Sequence, residues 1–143
     1  MYKKVLVALD GSAPSFRAVE AAIKMADSIE EISLIYVLNI PHVTAVADGQ
    51  GMDFLPSQYY KELTNAAQDI LDKAEKMLLP HHKASRILES GLPAETILHT
   101  AEKGHYDLII VGSRGLNSVQ KLFLGSVSNK IISLAHCAVM LIK

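Results

Sequence analysis

The sequence predicts an α/β fold: an open parallel sheet of five strands with helices on both faces. Two observations carry this expectation. Short apolar runs alternate along the chain with longer stretches in which apolar residues recur every three or four positions. In addition, Val5 to Leu9 and Leu108 to Val111 are apolar throughout, as in strands covered on both faces, and lack the alternation of half-exposed ones. At 143 residues, 50% hydrophobic and 20% charged, the chain fits one globular domain, residues 1–143, with a sizeable core.

Each element has its own local reason. The first strand is expected over residues 3–9, and Asp10-Gly11-Ser12 ends it. Ser12 suits the N-cap of a first helix, Pro14 is tolerated in its first turn, and Phe16, Val19, Ile23 and Ala26 form its apolar stripe. A second strand is expected over 32–38, completing a βαβ unit. From 39 to 56 the pattern lapses, with prolines, glycines and aspartates among scattered apolar residues, so a long loop is expected, functional or disordered. A second helix follows over 57–79, with Leu63, Ala67, Ile70, Ala74 and Met77 as its stripe and Pro80 at its end. The third strand is expected over 84–89. Ser90-Gly91-Leu92-Pro93 then turns the chain into a third helix with proline near its start, and Gly104 suits its C′ position. The fourth strand is expected over 107–111. A fourth helix takes Leu124, Val127, Ile131 and Leu134 as its stripe, and the fifth strand is expected over 138–142.

Composition excludes several function classes. Fourteen basic residues against fifteen acidic ones provide no field for nucleic acid or an anionic membrane. No apolar run approaches the roughly 20 residues of a membrane span, and the apolar start is too short for a signal peptide. The single cysteine, Cys137, excludes an internal disulfide and suits a reducing compartment, so a cytoplasmic location is expected.

The most informative stretch is 112–128, which follows the fourth strand. Gly112 and Gly115 stand at the strand's end, and Gly125 opens a helix with Ser126, Val127 and Ser128. Glycine permits tight turns and close approach of a ligand, while a helix start offers unpaired N–H groups and partial positive charge. Together these suit a phosphate. In open α/β sheets such ligands bind beyond the carboxyl ends of strands where strand order reverses, so Asp10 and Gly112 meet only if the first and fourth strands are neighbours.

With Ala-Leu-Asp-Gly-Ser at 8–12, Gly-Leu-Pro-Ala-Glu at 91–95 and Gly-x2-Gly-x9-Gly-Ser at 112–126, the chain resembles the universal stress protein family over its whole length, and its glycine pattern resembles that of the family's ATP-binding branch. The resemblance implies a Rossmann-like, adenine nucleotide alpha hydrolase-like sheet of order 3-2-1-4-5, and a homodimer through the edge strand at Ala138 to Ile142. It also implies a bound adenine nucleotide, ATP or ADP or AMP, with Mg or Mn on its phosphates. Adenine would lie by Leu9 and the main chain of Val37, and Asp10 would face the ribose or a phosphate-bound metal. Gly112 and Gly115 would line ribose and phosphates, and Gly125, Ser126, Val127 and Ser128 would hold the phosphate chain through N–H groups and hydroxyls. Arg114 is expected to add charge there.

Plainer roles compete at several positions. The glycines could serve only the turn, and Asp10 could cap the first helix. The serines suit capping or phosphate hydrogen bonds better than phosphorylation. His81 and His82 are adjacent and so point to different sides, which suits the helix C-terminus rather than a metal. Cys137 suits buried packing. No Gly-x4-Gly-Lys-Ser/Thr motif is present, and Lys121 precedes Gly125. Beyond Asp10, Arg114 and a bound metal no group stands out for cleaving a phosphate, so no catalytic residue is assigned and at most slow ATPase or autophosphorylation is expected. The alternative function is an interaction module of the same fold that binds no nucleotide.

Overall fold

The computed structural model describes residues 1–39, 57–114 and 124–143. Most of the expected long loop, residues 40–56, and the expected site residue Gly115 lie outside the described residues. The elements follow in the order β1 (Lys4–Leu9), α1 (Ala13–Met25), β2 (Glu31–Leu38), α2 (Ser57–Leu78), β3 (Ala84–Ser90), α3 (Pro93–Lys103), β4 (Leu108–Gly112), α4 (Ser126–Leu134) and β5 (Ala138–Ile142). A 3-10 turn, Ala26–Ser28, links α1 to β2.

All strand pairs are parallel, in the order β3-β2-β1-β4-β5. The chain moves outward from β1 to β3, then returns to β4 and β5 on the other side. Right-handed crossovers therefore place α1 and α2 on one face and α3 and α4 on the other. Two cores result. Val5, Val7 and Leu9 of β1 pack with Ala18, Val19, Leu71 and Leu78, while Leu6 and Ala8 pack with Ala94, Ile97, Ile109 and Ile131. Alternate residues of β1 thus enter different cores, which is why the strand is apolar throughout.

Ser12 caps α1 as expected: its Oγ accepts from Ser15 N at 3.3 Å, and Ser15 Oγ donates back to Ser12 O at 2.8 Å. Three expectations need correction. The end of α3 puts Gly104 at φ −85 and His105 at φ 55, so the left-handed residue is the histidine. Gly104 is required for space: a Cβ would lie 2.5 Å from the Tyr106 ring. In α2 the buried residues are Ala67, Leu71, Ala74 and Leu78, with Ile70 and Met77 only partly covered, because the sheet-facing arc is centred about one position from the expected stripe. Of the stripe expected for the fourth helix, Ile131 is buried and Leu134 is exposed, since α4 lies beside the edge strand, while Leu124, also exposed, falls before α4 begins.

Below the sheet, the Asp107 carboxylate accepts from the amides of Lys3 and Lys4 at 3.1 to 3.3 Å. Tyr106 donates to Ser33 Oγ at 2.7 Å, with Lys4 Nζ 4.7 Å above its ring. These contacts clamp β4 to β1 and β2 at the end opposite the glycine loops.

Candidate functional site

β1 and β4 are neighbours, paired from Val5 with Leu108 to Val7 with Ile110. The loops that leave their carboxyl ends, Asp10-Gly11-Ser12 and Gly112-Ser113-Arg114, are therefore side by side. Asp10 Oδ1 accepts from Ser12 N at 2.8 Å, which closes a tight turn over Gly11 at φ +86. Asp10 thus shapes the turn, while Ser12 is the residue that caps α1. Ser12 Oγ also reaches Arg114 O, at 3.5 Å. Gly112 lies so close to the start of α1 that a Cβ would be 2.8 Å from Pro14 Cβ and 3.1 Å from Ser15 N.

The start of α4 joins the same cluster. Gly125 N donates to Ser113 O at 2.7 Å, and Ser128 Oγ donates to Ser113 O at 2.9 Å and to Gly125 O at 3.0 Å. Ser128 is 2% exposed. Its hydroxyl and the Gly125 amide, both expected to face a phosphate, are engaged inside the protein. The first helical bond runs from Asn129 N to Gly125 O, so among the described residues the amides of Ser126, Val127 and Ser128 have no partner, as at any helix start. Ser126 is exposed and Val127 half-buried.

Leu9 and Val37 do not present side chains to a common surface. Leu9 is 5% exposed in the α1–α2 core and Val37 8% exposed in the opposite one, so only their main chains are near the loops. Tyr36, in register with Leu9, was not expected at the site. Burial, and second the charge of Asp10, push its phenol above the ordinary value. Its signal in the sequence was its place at the end of the second strand, where it reads as one more β-former. Arg114 is half-buried at the loop's last described position.

Among the described residues, no group of three or more His, Cys, Asp or Glu is placed to hold a metal. Asp10 is a single carboxylate with one oxygen engaged, which suits a cation whose other ligands come from phosphates and water. His82 has its ring nitrogens 2.7 Å from Lys83 O and 3.0 Å from Ile29 O, joining the turn after α2 to the start of β2. Cys137 is half-buried, and burial followed by the charge of Asp107 pushes its thiol up, away from nucleophile chemistry. It lines a cleft of about 470 Å³ between α3 and the turn into β5, with Leu98, His99, Tyr106 and Leu134, well apart from the glycine loops. No described helix is long and apolar enough to cross a membrane.

The family model for the universal stress protein family matches residues 1–143. The chain belongs to the universal stress protein family. Among curated relatives, universal stress protein YxiE of Bacillus subtilis is 34% identical over 149 residues, covering 100% of both chains. Among solved structures, universal stress protein UspA from Lactobacillus plantarum superposes with a TM-score of 0.85 at 23% identity, over 99% of this chain and 98% of that one. A universal stress protein family protein from Arabidopsis thaliana, solved with AMP bound, matches with a TM-score of 0.69 at 21% identity, over 99% and 91% of the two chains. Universal stress proteins in complex with cAMP (TM-score 0.63, 22% identity, 99% and 97% coverage) and, from Archaeoglobus fulgidus, with dAMP (0.67, 18%, 99% and 98%) also share this fold. The universal stress protein sheet order is the one that brings Asp10 and Gly112 together.

Proposed function

We propose that this universal stress protein is a single-domain, cytoplasmic, nucleotide-binding regulatory module that acts as a homodimer. The observation that carries the reading is the meeting of the Asp10 and Gly112 loops beside the start of α4, where the amides of Ser126, Val127 and Ser128 have no partner among the described residues. A helix start with orphan donors favours an anion. The AMP, cAMP and dAMP complexes of structural neighbours support an adenosine ligand.

In this reading the adenosine lies along the main chains of Leu9 and Val37, Gly112 and Gly115 flank ribose and phosphates, and Ser126 supplies a hydroxyl. Asp10 offers its second oxygen to the ribose or to Mg on the phosphates, and Arg114 adds positive charge. With only Asp10 and Arg114 as groups toward a terminal phosphate, we expect slow hydrolysis at most. The dimer forms through β5, and the nucleotide state alters the surface offered to a protein partner.

Titration calorimetry with Mg-ATP tests the core of this proposal. Saturable heat at micromolar nucleotide is expected. No heat from folded protein would leave the interaction module as the better reading. Gly125 has φ −64, which any residue adopts, so Gly125→Val should keep the fold while crowding the phosphates. A loss of at least about tenfold in affinity, ~1.4 kcal/mol, is expected; unchanged affinity would move the phosphates elsewhere.

A further inference from the structure

Ser113 is bonded in two directions by its main chain. Its N–H donates to Ile142 O, the last residue of β5, at 2.7 Å, while its carbonyl accepts Gly125 N at 2.7 Å and Ser128 Oγ at 2.9 Å. The residue is 5% exposed, so these bonds are shielded from water. The next carbonyl of the chain, Lys143 O, accepts from Arg17 Nε of α1 at 2.7 Å. The end of β5 is therefore held by the loop after β4 and by α1, and that loop is held by the start of α4.

We propose that Ser113 couples occupancy of the α4 start to the order of the β5 edge, so that nucleotide binding firms the strand through which the dimer forms. The proposal rests on the nucleotide reading above. A phosphate on the amides of Ser126, Val127 and Ser128 restrains the first turn of α4. Gly125 and Ser128 lie in that turn and share the Ser113 carbonyl, so Ser113 is restrained with them, and its N–H in turn restrains Ile142. Ordering already done for one ligand need not be repeated for the next. Linkage requires the converse: pairing β5 with a second copy raises nucleotide affinity by the same factor.

Amide hydrogen exchange of the full chain, followed by NMR with and without saturating Mg-ATP, tests this. General stabilisation by a ligand slows all globally exchanging amides alike, so β3, the other edge strand, is the control. The β5 amides bonded to β4 should slow by roughly 5- to 150-fold more than those of β3, the ordinary range of coupling between sites. Bound Mg-ATP with β5 and β3 slowed equally overturns the coupling and leaves the nucleotide reading intact. Absence of Mg-ATP binding overturns both. Ser113→Pro removes the N–H to Ile142; it should bind Mg-ATP and lose the excess protection of β5, and retention of that excess would also overturn the proposal. Should this variant fail to fold, the comparison of β5 with β3 in the unaltered chain still decides.

Discussion

A methyl group on Gly112 would meet Pro14 Cβ at 2.8 Å and Pro14 C at 3.0 Å. Backbone cannot step aside as a flexible side chain can, so Gly112→Ala should destabilise by about 1–3 kcal/mol, the usual cost of overpacking, read by urea denaturation. At the end of α3 two neighbours behave oppositely. His105, at φ 55, pays a left-handed penalty that glycine does not, so His105→Gly should stabilise by about 1 kcal/mol. Gly104→Ala should destabilise, because its Cβ would strike a Tyr106 ring pinned by Ser33 and Lys4. Cys137 adds a dependence on pH. Its thiol is raised in the folded chain from 9.0, so its contribution to stability is complete below that value and is lost as pH rises through the folded value. Thermal melts from pH 8 upward should show this alkaline loss, and Cys137→Ala should reduce it.

Among the elements, the two edge strands are treated differently. Along β3, Arg86 pairs with Asp72 and Gln68 of α2 and lies 3.6 Å from Glu75, which sets a charged side chain on that edge strand. The pair is partly exposed, with Arg86 at 31% and Asp72 at 48%, so Arg86→Ala should cost no more than about 1 kcal/mol. Its larger expected effect is self-association through β3, seen as a concentration-dependent increase in sedimentation. β5 carries no charged residue: Ala138 is exposed, and Val139 to Ile142 are half-buried. Beside it α4 exposes Ile132 at 44% and Leu134 at 53%. The α4 stripe was misjudged for this reason, since an apolar residue at helical spacing reads alike whether it faces a sheet or a partner.

For the whole molecule, an edge strand without charge fits the proposed assembly through β5. Sedimentation equilibrium should give a dimer, and Ala138→Lys, which sets a charge at the exposed start of that edge, should shift it to monomer while circular dichroism stays unchanged. A monomer in the unaltered chain would remove β5 from the proposed function. Nucleotide should strengthen the dimer if the Ser113 link operates as inferred.

The element order and every strand boundary to within one residue were legible in the sequence, because buried parallel strands and one-sided helices impose different apolar periods on the chain. Glycine placement also singled out the loop after β4 that meets the loop after β1. What the sequence did not reveal was how donors are shared once the loops meet. Ser128 and Gly125 carry the right groups for a phosphate, but in the folded chain those groups bind Ser113. The side chains of Leu9 and Val37, both expected beside the adenine, enter opposite cores, so only main chain is left there. The sequence determined the fold because burial acts on local pattern. Only the tertiary structure decided which amides and hydroxyls stay free, because a hydrogen-bonding group is spent on whichever partner the packing brings within reach.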